Sequence, residues 1–246
     1  MNKTSEYQFT IIVPVYNEED GIAALETAFA SYLPKCPVKA CVLFVDDGSA
    51  DRSRELLREI CSRNPDFFWM GFERNAGLTA AIKAGFDAVE SPLCGYIDAD
   101  LQTTPEDFDL LLAQIDGHSM VSGVRAGRKD TAFKRFQSRF GNAWRRMFTH
   151  DGATDTGCPL KVFRTESAKQ FPMFKGMHRF FAALVLLQEG GSYVEVPVRH
   201  FPRTTGKSKF TIWNRMMSGN ADCHAYRWMR KRYIRFKVNE NNLQSE

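Results

Sequence analysis

No two of the six cysteines stand at CxxC spacing, and none has the His neighbours of a zinc site. Cys36, Cys41, Cys61, Cys94, Cys158 and Cys223 read instead as reduced, mostly buried thiols of a cytosolic protein. The N-terminal MNKTSEYQFT lacks the apolar core of a signal peptide. The longest apolar run, residues 180–187, is far short of the roughly 20 residues that cross a bilayer. These absences predict a chain that is soluble or bound at a membrane surface. Neither GxxxxGK(S/T) nor GxGxxG follows the first apolar run, which removes support from P-loop and dinucleotide-binding readings. Internal repeats and low-complexity linkers are also missing.

What remains is a chain of 246 residues, 43% of them hydrophobic, enough for one domain with or without an appendage. Its net charge of +4 hides a strong asymmetry. Residues 1–124 carry 9 Lys and Arg against 20 Asp and Glu, a balance of −11, and residues 125–246 carry 24 against 9, a balance of +15. The basic half is densest over 125–146 and 199–237, a field that attracts phosphates, anionic lipids or nucleic acid.

Apolar runs and helical patterns alternate through the first half. Strands are predicted over 9–15, 40–45, 67–72, 93–97 and 120–124, and helices over 19–32, 51–63, 78–89 and 105–115. Asp51 would cap the second helix or lie in its first turn. This order implies a mostly parallel sheet with helices on both faces. Beyond it we expect a basic helix over 132–149, irregular or strand-like chain over 155–164, a helix over 178–189, a strand over 192–198 and a basic, aromatic-rich helix over 210–234. The division is one domain over 1–209 with a basic C-terminal helix and tail over 210–246.

Ligands of open α/β sheets bind at the carboxyl ends of the strands. Four successive strand ends are polar here: Pro14 to Glu18, Asp46 to Ser49, Glu73 to Gly77, and Asp98 to Gln102. In the last, Asp98 and Asp100 flank Ala99, and strand alternation would aim both carboxylates the same way. Two carboxylates so placed repel unless a cation lies between them. Mg²⁺ or Mn²⁺ suits such oxygen donors, with Gln102 adding a carbonyl and substrate phosphates completing the shell. Asp46 and Asp47 could accept from a base or ribose, with Gly48 permitting the turn that follows.

VPVYNEE, VDDGSxD, ERNAGLTAAIKAG and DADLQTTPE, taken together, resemble the family 2 glycosyltransferases of the GT-A fold. More closely they resemble its dolichyl-phosphate mannose synthase and polyprenyl-phosphate glycosyltransferase branch, over about residues 9–210. The branch features lie in the second half: Gly123-Val124-Arg125 with Lys134, Arg135 and Ser138, then the segment Asp155 to Arg164, then Glu195-Val196-Pro197 with Arg203, Gly206, Ser208 and Lys209. Some relatives carry an acidic residue at about the position where this chain has Cys158.

The resemblance implies a single GT-A, Rossmann-like α/β domain. Its donor subsite would comprise Pro14, Tyr16, Asn17, Glu18, Asp46, Asp47, Arg74, Asn75 and Gly77. Metal and diphosphate would fall to Asp98, Ala99, Asp100 and Gln102, and acceptor phosphate to Arg125, Lys134, Arg135, Arg203 and Lys209. Asp98, Asp100, Asp155 and Arg125 form the expected catalytic set. Arg suits phosphate through its planar fork, Lys as a point charge.

The expected reaction moves a sugar from a UDP- or GDP-linked donor to a polyprenyl phosphate. The expected place is the inner face of the cell membrane, with the C-terminal helix on the lipid surface or on a membrane-protein partner. Two alternatives stay open. One is a family 2 enzyme acting on a sugar hydroxyl of a polysaccharide or glycolipid, with Asp155 as its base. The other is a non-enzymatic nucleotide-sugar-binding module. The acidic crevice argues against nucleic acid as a partner.

Overall fold

β1 (Phe9–Val15) is buried along its whole length, which is why it reads as an unbroken apolar run. Its side chains alternate between two cores. Phe9, Ile11, Val13 and Val15 enter one, and Ile12 enters the other. A strand covered on both faces shows no polar alternation in sequence. The computed structural model describes residues 2–126, 141, 143–202 and 212–234, with side chains from 219 onward in the last span.

β1 lies at the centre of a seven-stranded sheet of order β3-β2-β1-β4-β6-β5-β7. The other strands are β2 (Ala40–Asp46), β3 (Phe67–Gly71), β4 (Leu93–Tyr96), β5 (Met120–Arg125), β6 (Lys161–Arg164) and β7 (Tyr193–Val198). β1 pairs in parallel with β2 and β4, and β2 with β3. β6 runs antiparallel to both its neighbours, β4 and β5, and β7 is parallel to β5. The mostly parallel α/β reading therefore holds. The antiparallel β6 occupies the stretch that the sequence left as irregular or strand-like.

One core packs α1 (Ile22–Tyr32), α2 (Ser53–Arg63) and α4 (Phe108–Leu112) on the sheet, with Ile22, Leu25, Phe29 and Tyr32 forming the inner stripe of α1. The opposite core packs α3 (Leu78–Ala88), α6 (Thr165–Lys169) and α7 (Phe181–Val185). There Phe86 meets Phe163, Phe171 and Phe181 edge to face or nearly so. α8 (Ile212–Arg232) joins this core through buried Cys223, Tyr226 and Met229.

Several helices are shorter than the periodicity implied. The segment expected over 105–115 is a 3-10 turn, Pro105–Asp107, leading into the five-residue α4. The segment over 178–189 is a 3-10 turn, Met177–Phe180, and the five-residue α7, all of whose residues are buried. The basic helix expected over 132–149 is described as helical over 143–149, called α5 here, and residues 132–140 lie outside the described residues. α2 begins at Ser53 behind Arg52, so Asp51 stands one residue before the cap and still accepts from the Ser53 N–H at 2.9 Å.

Candidate functional site

Pro14 marks where the crevice opens. In a parallel ladder each residue bonds to one neighbour only, alternating along the strand. The Ile12 carbonyl accepts from Ile97 on the β4 side and the Val15 carbonyl accepts from Asp47 on the β2 side. Pro14 therefore faces β4, whose pairing with β1 has already ended at Ile12 and Tyr96. A residue with no N–H is accommodated there because no partner strand remains. β1 and β4 diverge at this point, where the strand order turns, and Tyr16 and Asp98 follow on the two sides.

The loop after β1 is laced to the loop after β2. Asn17 takes φ 51°, a left-handed conformation Asn tolerates. Its N–H donates to Ser49 Oγ at 3.0 Å and its Oδ1 accepts from the Ala50 N–H at 2.8 Å. The Glu18 N–H donates to buried Ser53 Oγ at 2.8 Å. Glu19 and Arg52 complete the lacing, the Glu19 N–H to Asp51 Oδ2 at 3.2 Å and the Arg52 N–H to Glu19 Oε2 at 3.1 Å.

Asp46 and Asp47 are both buried, and their oxygens are engaged within the protein. Asp46 accepts from the Ser49 N–H at 3.0 Å and from Arg54 Nε at 2.6 Å. Asp47 clasps the loop after β3: Oδ1 accepts from the Ala76 and Gly77 N–H groups at 2.7 and 3.1 Å, and Oδ2 from Gly77 at 2.9 Å and from Asn75 Nδ2 at 2.9 Å. Burial raises the Asp47 pKa, partly offset by those N–H groups. The two carboxylates thus shape the loops that line the crevice. Arg74 is exposed on the rim. Gly48, at φ 69°, admits no side chain, because a Cβ would stand 2.4 Å from the backbone carbon of Arg74.

Asp98 and Asp100 lie beyond β4, which stops at Tyr96, in a turn whose Leu101 has φ 50°. Strand alternation therefore does not bring them together; the turn does. Both are partly exposed. Buried Tyr96 donates its hydroxyl to Asp98 Oδ1 at 2.5 Å, and the Gln102 N–H donates to Asp100 Oδ1 at 3.2 Å. Among the described residues Asp98 Oδ2 accepts no hydrogen bond. Burial, opposed by the Tyr96 bond and reinforced by the Asp100 charge, pushes the Asp98 carboxyl up to about 6. The Gln102 carbonyl accepts from the Phe201 N–H at 2.8 Å, which ties this turn to the chain leaving β7.

Opposite stands Arg125 at the end of β5. Its Nε and Nη2 donate to Asp155 Oδ2 and Oδ1 at 2.8 and 2.7 Å, and its own N–H donates to Oδ2 at 3.1 Å. Burial alone would raise the Asp155 pKa, but the Arg125 hydrogen bonds and charge outweigh it and hold the carboxyl below its usual range. Such a carboxylate orients an arginine and is a poor proton acceptor. Lys161, only 3% exposed, donates to the Cys158 carbonyl, and its charge and that of Arg125 act on Asp98. Acidic and basic halves therefore meet around Asp98.

Tyr96, Lys161, Ser49, Asp51 and Ser53 were not singled out as site residues by the sequence. Ser49 and Asp51 lie inside a quoted motif, whereas nothing local marks Tyr96. Arg145, expected on a basic helix face, is buried in a bidentate pair with Asp151. His178 Nδ1 and Thr79 Oγ1 share a hydrogen bond at 2.7 Å, and the same hydroxyl accepts the Gly176 N–H at 3.0 Å. Burial and the nearby Arg179 and Lys161 charges lower His178 to about 3, so it is neutral at pH 7. Lys134, Arg135, Ser138, Arg203, Gly206, Ser208 and Lys209 lie outside the described residues.

Among the described residues no three His, Cys, Asp or Glu side chains stand together as a self-sufficient metal cage. Asp98 and Asp100 are hard oxygen donors, and the unengaged Oδ2 of Asp98 fits Mg²⁺ or Mn²⁺ of the kind completed by substrate phosphates and water.

Solved structures share this fold. Glucosyl-3-phosphoglycerate synthase from Mycobacterium tuberculosis, in complex with Mn²⁺, UDP-glucose and phosphoglyceric acid, superposes with a TM-score of 0.67 at 13% identity, covering 93% of this chain and 81% of that one. A mannosyltransferase from Pyrobaculum calidifontis, in complex with GDP-mannose and Mn²⁺, gives 0.62 at 17% identity, covering 94% and 66%. In sequence the chain is 32% identical over 205 residues to the undecaprenyl-phosphate 4-deoxy-4-formamido-L-arabinose transferase of Edwardsiella ictaluri, covering 82% of this chain and 63% of the relative. It is 30% identical over 210 residues to the dodecaprenyl-phosphate galacturonate synthase of Rhizobium johnstonii, covering 83% and 62%. The chain thus spans less than two thirds of the length of these curated relatives. The model of glycosyl transferase family 2 matches residues 10–172, and with its four polar strand ends gathered at one crevice the chain belongs to that family.

Proposed function

We propose that the protein transfers a sugar from a UDP- or GDP-linked donor to a polyprenyl phosphate, with Mg²⁺ or Mn²⁺ held by Asp98 and Asp100 and assisted by Gln102. The observation that carries this reading is the fixed guanidinium of Arg125, whose charge acts on an Asp98 carboxylate with one unengaged oxygen. One end of the crevice is built for a cation and a diphosphate, the other for an anion. The family and the names of the curated relatives point the same way.

In this reading the loops after β1, β2 and β3 receive the nucleotide, with Tyr16, Glu18, Arg74 and Asn75 on their rims. A metal held by Asp98 and Asp100 would supply the charge that offsets the one building on the departing diphosphate. Arg125 holds the acceptor phosphate against the anomeric carbon, with Lys134, Arg135, Arg203 and Lys209 as further phosphate contacts. A phosphate oxygen bonds to the anomeric carbon, the bond from that carbon to the diphosphate oxygen breaks, and the nucleoside diphosphate leaves. A phosphate is already anionic at pH 7 and needs no general base. That suits a site whose Asp155 is committed to Arg125. The rival reading, transfer to a sugar hydroxyl, would require Asp155 to let go of Arg125.

Residues 210–246 are read as an extension of the domain over 1–209, working at the inner face of the cell membrane. No described helix is long and apolar enough to cross a membrane. Trp228 on α8 is 61% exposed with Arg232 over its ring, and Met147 on α5 is 67% exposed. Exposed apolar and aromatic side chains beside basic ones favour an anionic lipid surface. Failure to bind anionic vesicles at low salt would remove this part of the proposal.

The reaction is tested by incubating the protein with Mn²⁺ or Mg²⁺, a panel of UDP- and GDP-sugars, undecaprenyl phosphate and competing free saccharides. A glycolipid that forms only with both metal and lipid phosphate is expected. Transfer to saccharides alone would overturn the lipid-acceptor assignment.

A further inference from the structure

Among the described residues β7 pairs only with β5, at the edge of the sheet. Tyr193 and Glu195, two apart on this strand, share a face. Both reach the segment 151–155. The Tyr193 hydroxyl donates to the Asp151 carbonyl. Glu195 accepts three bonds from the two residues beyond: the Thr154 N–H at 2.9 Å and the Asp155 N–H at 3.5 Å on Oε1, and the Thr154 hydroxyl at 2.6 Å on Oε2. A glutamate on an edge strand ordinarily faces water. Here both its oxygens are spent on the backbone and side chain immediately before the Arg125 clamp.

The clamp leaves Arg125 little freedom of its own. Asp155 grips two of its nitrogens on one side. Gly157 lies close as well: a Cβ there would stand 2.9 Å from Nη2 and 3.7 Å from Asp155 Oδ1. The direction of the guanidinium therefore follows the Asp155 carboxylate, and the backbone that carries Asp155 is held at its start by Glu195. The far end is closed by Lys161, donating to the Cys158 carbonyl.

We propose that Glu195 is a positioning residue: through Thr154 and Asp155 it sets the direction in which Arg125 presents its guanidinium to the acceptor phosphate. This rests on the reading of Arg125 as a phosphate contact. A displacement of about 1 Å at a contact of this kind costs on the order of 100-fold, and loss of a supporting hydrogen bond about 10-fold or more.

The test measures binding of two probes to the full chain by calorimetry: farnesyl phosphate for the acceptor side, and UDP with Mn²⁺ for the donor side. Glu195→Ala is expected to weaken farnesyl phosphate about 10-fold and leave UDP with Mn²⁺ within twofold. Glu195→Gln, which keeps an oxygen for the Thr154 N–H, should restore binding to within about threefold of the original. Tyr193→Phe removes the other β7 bond to the same segment and should change neither probe. The double variant Glu195→Ala/Arg125→Ala should bind farnesyl phosphate no more weakly than Arg125→Ala. Unchanged farnesyl phosphate binding in Glu195→Ala overturns the inference. So do losses that multiply in the double variant, or a Tyr193→Phe loss as large as that of Glu195→Ala. If Arg125→Ala itself leaves farnesyl phosphate binding intact, the phosphate role of Arg125 falls first, a result separable from failure at Glu195 alone.

Discussion

In the loops after β1 and β2, carboxylates mostly accept from backbone N–H groups. Around the chain that enters β6, they accept from arginines. Asp47 holds the N–H groups of Ala76 and Gly77, and Asp51 holds those of Glu19 and Ser53. Before β6, Asp155 and Asp151 hold Arg125 and Arg145, and farther off Asp222 on α8 holds Arg179 and Asp107 before α4 holds Arg199. A carboxylate on backbone amides fixes the shape of a loop. A carboxylate on a guanidinium fixes the direction of a cation. The first arrangement makes a contoured cleft; the second makes an aimed positive charge. Asp98 stands between them, engaged by a single tyrosine hydroxyl, which leaves it available to a metal.

The largest expected effect comes from removing that exception. Asp98→Asn or Asp100→Asn should lower transfer by about 1,000-fold or more, several kcal/mol of electrostatic stabilisation. Asp98→Asn should at the same time make the metal-free protein more stable. Its folded pKa is raised, so the penalty is absent below about pH 4, grows through about 6 and is complete above that. With partial exposure discounted, the gain is about 1 kcal/mol, a few degrees in Tm for a chain of this size. A variant both inactive and less stable would break the contrast between Asp98 and its committed neighbours.

Next in size is the clamp. Arg125→Ala should lower kcat/KM for the lipid phosphate about 100-fold with donor affinity unchanged. Asp155→Asn should cost somewhat less by freeing Arg125, and should destabilise the fold by about 1–3 kcal/mol. The two roles argued for Asp155 separate by pH. Loss of a base removes the acidic limb of the rate profile, whereas loss of an orienting group scales the whole profile down. We expect scaling.

Smaller is Gly48→Ala, which strains the backbone and forces the loop after β3 away. About 1–3 kcal/mol of stability and about 10-fold of donor affinity should be lost, with acceptor affinity untouched. An equal loss on both substrates would show that the two halves do not work independently. The smallest effect near neutrality is in metal affinity. Because the Asp98 carboxyl titrates near 6, Mn²⁺ binding should be level above about pH 7 and weaken by up to 10-fold per unit below 6. Titrations at pH 5.0, 6.0 and 7.5 check this, and equal affinities at all three would contradict it.

Strands and crevice were legible because a strand buried on both faces and a polar strand end are both local patterns. Pro14 was legible as part of a strand end, but the reason for it was not: its missing N–H falls where β4 has departed, which only the strand pairing shows. The fate of the carboxylates was not legible. Asp46 and Asp47 are of the same type as Asp98 and Asp100 and stand at an equivalent strand end, yet two are consumed by loops and one keeps an oxygen free. That difference depends on where Arg54, Asn75 and Gly77 arrive. Glu195 meets Thr154 across 41 positions, and no periodicity reports such a contact. Helices over 105–115 and 178–189 came out shorter because apolar content set by burial does not specify where a backbone turns.

The reversed direction of β6 has a consequence for how such a protein could be re-engineered. β5 leaves the sheet at the crevice and β6 enters it from the same edge, on adjacent strands in a fixed register. The chain therefore departs after residue 126 and is back in the sheet by residue 161 at a neighbouring point, an excursion that leaves the sheet's pairing in place. Lengthening such an excursion costs little closure entropy, about 0.6 kcal/mol per doubling. Its described part is anchored, with Arg145, Asp151, Ala153 and Cys158 buried, so an insertion must leave these in place and still deliver an aspartate to Arg125 and a backbone carbonyl to Lys161.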